Sequence, residues 1–297
     1  MSEKFIQDFL KANKQYRNSV FCSYFNDKVK LLSLCNAVLN TNYTDPNELE
    51  INTLETTMLS NQKNDISCKI DNNFLVLIEH QSSVNKNMPF RCLSYITKLL
   101  DTLIDDRAKL YKETLIKFPK PKFYVLYDGN KDEPLKYEMR LSEAFDGDSS
   151  SLELIVTSFN INYGLSQPLL EKCQYLKDYS TLIGQVKEGL SNKLSLHEAI
   201  IKAVDYCINN NVMKEYLTQH EKEVFNMLAL QWNIDDAKTA WQQEARDEGR
   251  LEGSFLEKIN NLKRLMNKMH MTIEEAMDFS DIPEKDREKY TAALINS

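Results

Sequence analysis

The stretch from Asn64 to Gln81 constrains this chain more than any other. Two runs of β-forming residues, DISCKI and FLVLIEH, flank the turn formers Asp71-Asn72-Asn73, so the segment reads as a hairpin. The second run is apolar from Phe74 to Ile78 without alternation, as in a strand buried on both faces and central in its sheet. Around it the pattern changes period. Asn26 to Leu39 places Val29, Leu32, Leu34, Ala37 and Val38 in an approximate helical stripe. Thr44 to Asn47 reads as a turn, and 48–57 as a strand. A long helix is predicted from Met88 to about Leu110, with Pro89 suited to its first turn.

Further strands are predicted over Pro121–Gly129, Leu135–Leu141 and Leu152–Thr157. After Gln167 the texture is helical almost to the end, notably over 196–208 and 236–268. The expected organisation is an α/β core over 1–165, a mixed sheet flanked by helices, followed by an α-helical region over 166–297. A chain of 297 residues is long enough for one large or two ordinary domains. Only 7 Gly and 7 Pro leave little room for a turn-rich all-β fold.

The net charge of −7 provides no general attraction for nucleic acid, though it leaves room for a local basic face. No apolar run approaches the ~20 residues that span a bilayer, and the opening MSEKFIQDFLKANKQ lacks a secretory apolar core. The expectation is no membrane and a cytoplasmic location. The 6 Cys are scattered without a C-x-x-C pair and the 4 His lie far apart, so neither a disulfide framework nor a zinc site is expected. Trp232 and Trp241 read as core anchors of the helical half.

The sharpest chemical signal is Asp65 on the first hairpin strand with Glu79-His80-Gln81 at the end of the second. Pairing through the turn brings Asp65 and Glu79 to one end of the sheet. Glu79 and Gln81 share a face and His80 points the other way, toward a structural hydrogen bond. Two carboxylates meeting at the edge of an apolar strand can hold a hard cation such as Mg²⁺, with Mn²⁺ as a substitute. They can equally be solvated strand-end acids. Arg91, Tyr95 and Lys98 are spaced to share one face of the following helix. Over 107–122, Arg107, Lys109, Lys112, Lys117, Lys120 and Lys122 meet only Glu113, a basic patch that can neutralise phosphates or stand as a solvated loop.

The segment FLVLIEHQSSVNKNMPFRCLSYITKLL resembles the hallmark of the Rpn family, recombination-promoting, transposase-like nucleases of the PD-(D/E)XK superfamily. The resemblance extends to the Asp65-Ile66 strand, to KFYVLYDGNKDEP and to EARDEGRLEG in the tail, and so covers most of the chain. It implies a restriction-endonuclease-like sheet and DNA as the partner. It also implies Asp65 and Glu79 as metal ligands with the His80 main-chain carbonyl as a third, and Arg91 and Tyr95 near the site.

Gln81 then occupies the superfamily's lysine position. A glutamine can orient a water or a phosphate oxygen but is neither a general base nor a positive charge. Arg91 or Lys98 must supply that charge, or the site is weak or inactive. The superfamily's upstream helix acid has no clear counterpart, since the 26–40 helix offers only Asp27, with Asn36 nearer the expected place. The expected function is a Mg²⁺-dependent DNA endonuclease promoting recombination or restricting foreign DNA. It has Asp65, Glu79 and Gln81 in the reaction, Lys117, Lys120 and Lys122 on the substrate, and a homodimer suited to cutting two strands. The alternatives are an RNA-directed nuclease and a non-catalytic protein that uses the fold to bind a partner.

Overall fold

The computed structural model describes residues 19–52, 65–146 and 151–295, with the backbone alone over 234–252 and at 285, 286, 288, 292 and 295. Six strands form one open mixed sheet: β1 (Leu49–Ile51), β2 (Ile66–Ile70), β3 (Phe74–Gln81), β4 (Lys120–Tyr127), β5 (Lys136–Arg140) and β6 (Ile155–Asn160), ordered β1-β2-β3-β4-β6-β5. β2 runs antiparallel to both β1 and β3, β3, β4 and β6 run parallel, and β5 lies antiparallel on the far edge. The expected hairpin is present, with Ile66 opposite Ile78 and Ile70 opposite Phe74. Its turn places Asp71 and Asn72 at φ 43 and 51°, and Asn73 N–H donates to the Ile70 carbonyl at 2.9 Å. Asp and Asn tolerate the left-handed region better than other residues with a side chain, so these two can bend the chain that sharply.

β3 is central, and its alternation feeds two cores. Leu75 and Leu77 face helix α3 (Met88–Thr102) and pack with Met88, Cys92, Tyr95, Ile96 and Leu99. Val76 and Ile78 face the larger core, which receives α1 (Val20–Tyr24) and α2 (Lys28–Leu39). Asp27 caps α2 by accepting from Val29 and Lys30 N–H, and Asn40 ends it in the left-handed conformation. α3 carries Pro89 in its first turn as expected, but ends at Thr102 rather than near Leu110. Acidic residues at 105 and 106 oppose the negative end of a helix, and Asp106 instead caps a separate 3₁₀ turn at Arg107–Tyr111. Of the strand expected over 48–57, Leu49–Ile51 is formed and 53–57 lie outside the described residues.

The helices after 165 are α4 (Pro168–Lys172), α5 (Gln174–Ser191), α6 (Leu196–Asn209), α7 (Lys214–Gln219), α8 (Glu221–Met269), α9 (Ile273–Phe279) and α10 (Glu284–Ile295). Residues of α4 to α7, with Val224 and Leu228 of α8, join the larger core beside Phe159 and Ile161. The change of texture after 165 is therefore a change of secondary structure. The chain divides into compact units between Trp232 and Asn233. In the second unit Ile259 and Leu262 pack with Ala276, Met277, Ile282 and Tyr290, and α9 begins with a capping box of Thr272 and Glu275. Trp232 is half-buried against the larger core, while the Trp241 side chain lies outside the described ones. Among the described residues no helix is long and apolar enough to cross a membrane.

Candidate active site

The site lies where β3 leaves the apolar sheet. Because Ile66 pairs with Ile78, Asp65 stands across from Glu79, and the main chain ties the two acids together. Asp65 N–H donates to Glu79 Oε1 at 3.2 Å, and His80 N–H donates to Asp65 Oδ2 at 2.8 Å. From the first turn of α3, Arg91 Nη2 donates to Glu79 Oε2 at 2.9 Å. The same guanidinium donates to the Tyr95 hydroxyl through Nη2 (2.9 Å) and Nε (3.2 Å). Arg91 and Tyr95 meet because they are one helical turn apart. The Glu79 side chain is 3% exposed and Arg91 39%, so the guanidinium covers the carboxylate.

Gln81 completes this face. Its amide is best placed with the oxygen 3.2 Å from Arg91 Nη1 and the nitrogen 3.3 Å from the Ser83 carbonyl, since the opposite orientation sets donors against donors. Lys98 is half-buried two turns further along α3, roughly 10 Å from Arg91 by helical rise.

Electrostatics follow from burying two acids beside one base. Burial, and then the nearby Asp65 carboxylate, push Glu79 up to about 8 against the opposing pull of Arg91. Loss of water raises Asp65 as well, although the His80 N–H, the His80 charge and Arg91 favour its ionised form. For Arg91 burial works against the charge, and the Glu79 carboxylate and Tyr95 outweigh it, so its affinity for the proton rises. The cluster is thus short of positive charge.

Its donors suit a hard cation. On an extended strand a residue's carbonyl points to the same side as its N–H, and the His80 N–H points at Asp65. Two carboxylates and that carbonyl make an all-oxygen set, and Mg²⁺ commonly takes one or two carboxylates and keeps several waters. Among the described residues no group of three or more His, Cys, Asp or Glu side chains is gathered in a way that could hold a metal.

Other sequence candidates fall elsewhere. The parallel register sets Lys120 opposite Phe74 and Lys122 opposite Val76, whereas Glu79 faces Val125. Lys120 is thus about 17 Å along the sheet from Glu79, at the opposite ends of their strands. Lys117 precedes Lys120 at that same far end. The patch follows the site helix in sequence, but Lys120 and Lys122 lie away from the Asp65–Glu79 pair in space, because α3 carries the chain back across the sheet. Within the patch, Arg107 is paired with Asp101, and Lys109 with Asp105. Asp27 is spent on its helix cap, and Asn36 holds the loop at Tyr43 by accepting from Tyr43 N–H at 2.9 Å and donating to the Tyr43 carbonyl.

His80 points away from Glu79, as strand alternation requires. Its Nε2 lies 2.8 Å from Asp128 Oδ2 and 3.2 Å from the Tyr179 hydroxyl, and its ring stacks on Phe21. Lys187 Nζ donates to the carbonyl of Asp128 and to Asn162 Oδ1 (2.8 Å), tying the ends of β4 and β6 together. Gly129 passes so close to the Ser82 carbonyl that a Cβ there would collide with it. Tyr179 and Lys187 lie in helical sequence that carries no local mark of this role. The Asp-Gly pair after a core strand was the one local sign of this network. Compared with family models, curated proteins and solved structures, the chain gives no match.

Proposed function

We propose that this chain is a divalent-cation-dependent DNA phosphodiesterase, with a PD-(D/E)XK-like arrangement of its sheet and a site of the Rpn kind. The observation that carries the reading is the pairing of Asp65 with Glu79 across the hairpin, on the face that also holds Arg91 and Tyr95. Asp65, Glu79 and the His80 carbonyl would hold Mg²⁺ or Mn²⁺. Bound there, the cation supplies Lewis acidity toward a phosphodiester and lowers the pKa of water. Arg91 provides the positive charge that Gln81 cannot, and its fork suits two phosphate oxygens. Gln81 orients a water or a phosphate oxygen by hydrogen bonding. Tyr95 fixes the guanidinium, and the deep placement of Glu79 keeps bulk water from screening these charges.

A second reading, a partner-binding protein that retains the fold without catalysis, is favoured by one observation. Among the described residues no third carboxylate joins Asp65 and Glu79.

Nicking of supercoiled plasmid separates the two. Purified protein is incubated with Mg²⁺, Mn²⁺, Ca²⁺ or EDTA, beside Glu79→Ala. Nicking with Mg²⁺ or Mn²⁺ that EDTA and the substitution both remove is the expected result. Folded protein that nicks with no metal, or a variant that nicks equally well, overturns the assignment.

A further inference from the structure

We propose that Arg91 stands in for the cation when none is bound, and that a divalent cation displaces it from Glu79 so that its guanidinium becomes the ligand of the substrate phosphate. The inference rests on the phosphodiesterase reading and adds an order of events to it. One carboxylate oxygen that a cation would take, Glu79 Oε2, is the acceptor of Arg91 Nη2. Glu79 is almost sealed from water and Arg91 is the more exposed partner, so access to the carboxylate runs past the guanidinium. A cation and a guanidinium cannot share that oxygen at close range without strong repulsion. One of them must leave, and the long, half-exposed arginine is able to move.

The surroundings favour a short movement. The Tyr95 hydroxyl receives both Nε and Nη2, and the Arg91 guanidinium carbon lies 5.8 Å from the Tyr95 ring centroid. Tyr95 can therefore keep the base of the guanidinium while Nη2 swings from Glu79 to an incoming anion. Gln81 Oε1 is close to Nη1 and can hold that side of the fork. In the starting state the contacts with Glu79 and Tyr95 satisfy Arg91 and leave it without a vacant donor edge for phosphate. After displacement it presents Nη2 to an anion beside a dication. Cation and phosphate then bind with positive coupling, and linkage makes that coupling equal in both directions. A phosphodiester is the ligand class this selects, because a bare carboxylate offers one charged edge and cannot bridge both cation and fork so fully.

Isothermal titration calorimetry on the full chain tests this without activity. Ca²⁺ is titrated into wild type, Arg91→Gln, Tyr95→Phe and Asp65→Asn, each checked for a cooperative melt, with and without a short 5′-phosphorylated oligonucleotide. Arg91→Gln should bind Ca²⁺ on the order of tenfold more tightly or better, as expected for removing a positive charge a few ångströms from a dication at a half-buried site. The oligonucleotide should tighten Ca²⁺ binding in wild type and leave Arg91→Gln unaffected. Tyr95→Phe, which loosens Arg91 without removing its charge, should weaken that coupling, and it decides the matter if Arg91→Gln does not fold. Equal Ca²⁺ affinity in wild type and Arg91→Gln, lost in Asp65→Asn, overturns the displacement and leaves the metal site standing. No Ca²⁺ binding by any of the proteins overturns the metal site and this inference together.

Discussion

A single carboxyl at the candidate site carries a large electrostatic cost. Glu79 sits near 8 when folded against an ordinary 4.5, because it is buried and faces Asp65. Between those values the folded protein keeps a proton that the unfolded chain has released. Its stabilising contribution is complete below about 4.5 and is lost as pH rises through about 8. Glutamine at this position has no such proton to lose. In EDTA, the melting temperature of Glu79→Gln should therefore rise relative to wild type as pH climbs through that window. The gain has an upper bound on the order of a few kcal/mol. Thermal melts at stepped pH measure it, and curves that stay parallel would show that the carboxyl is ionised at no cost. Asp65 and Glu79 were legible as a pair because they are hydrogen-bonding neighbours across one local turn. The cover that Arg91 places over Glu79 was not, because spacing shows which helix face a residue occupies and not which strand that face meets.

Elements decide what the basic patch can reach. The β3–α3–β4 crossover reverses the chain, so a segment that follows the site in sequence is delivered to the other end of the sheet. Chain order alone invited the opposite conclusion about Lys117, Lys120 and Lys122. Alanine at all three should leave binding of a tetranucleotide at the Asp65–Glu79 edge unchanged. For a long duplex that spans both ends, the salt dependence should flatten by about 0.9 in log–log slope for each phosphate contact removed. Fluorescence anisotropy across a salt series distinguishes the cases, and weakened tetranucleotide binding would bring the patch back to the site. The strands themselves were readable because apolar runs and turn residues are local signals. The end of α3 was missed because apolar periodicity continues past Thr102, while the acids that stop the helix act through its dipole and a new cap.

At the scale of the whole molecule, the sheet with its two cores and the helices up to Trp232 form one compact unit. That grouping was hidden in the sequence, since α4 to α7 look like the helices that follow them and differ only in what they cover. A chain ending at Trp232 keeps Val224, Leu228 and Trp232 against the larger core, along with every residue assigned to the candidate site. It should unfold in one cooperative transition and bind Ca²⁺ as the full chain does. Urea melts and calorimetry read both quantities. A truncated chain that melts without cooperativity would mean that residues 233–297 are needed to complete the first unit.

The Asp71-Asn72 turn also bears on the order in which the protein assembles. A hairpin closed by so short a loop forms in microseconds, while the parallel pairing of β3 with β4 must wait for a far longer loop to close. Asp65 and Glu79 are thus brought face to face before the helix bearing their counter-charge has docked. The two acids meet through a local contact, whereas Arg91 reaches Glu79 only once α3 packs on the sheet.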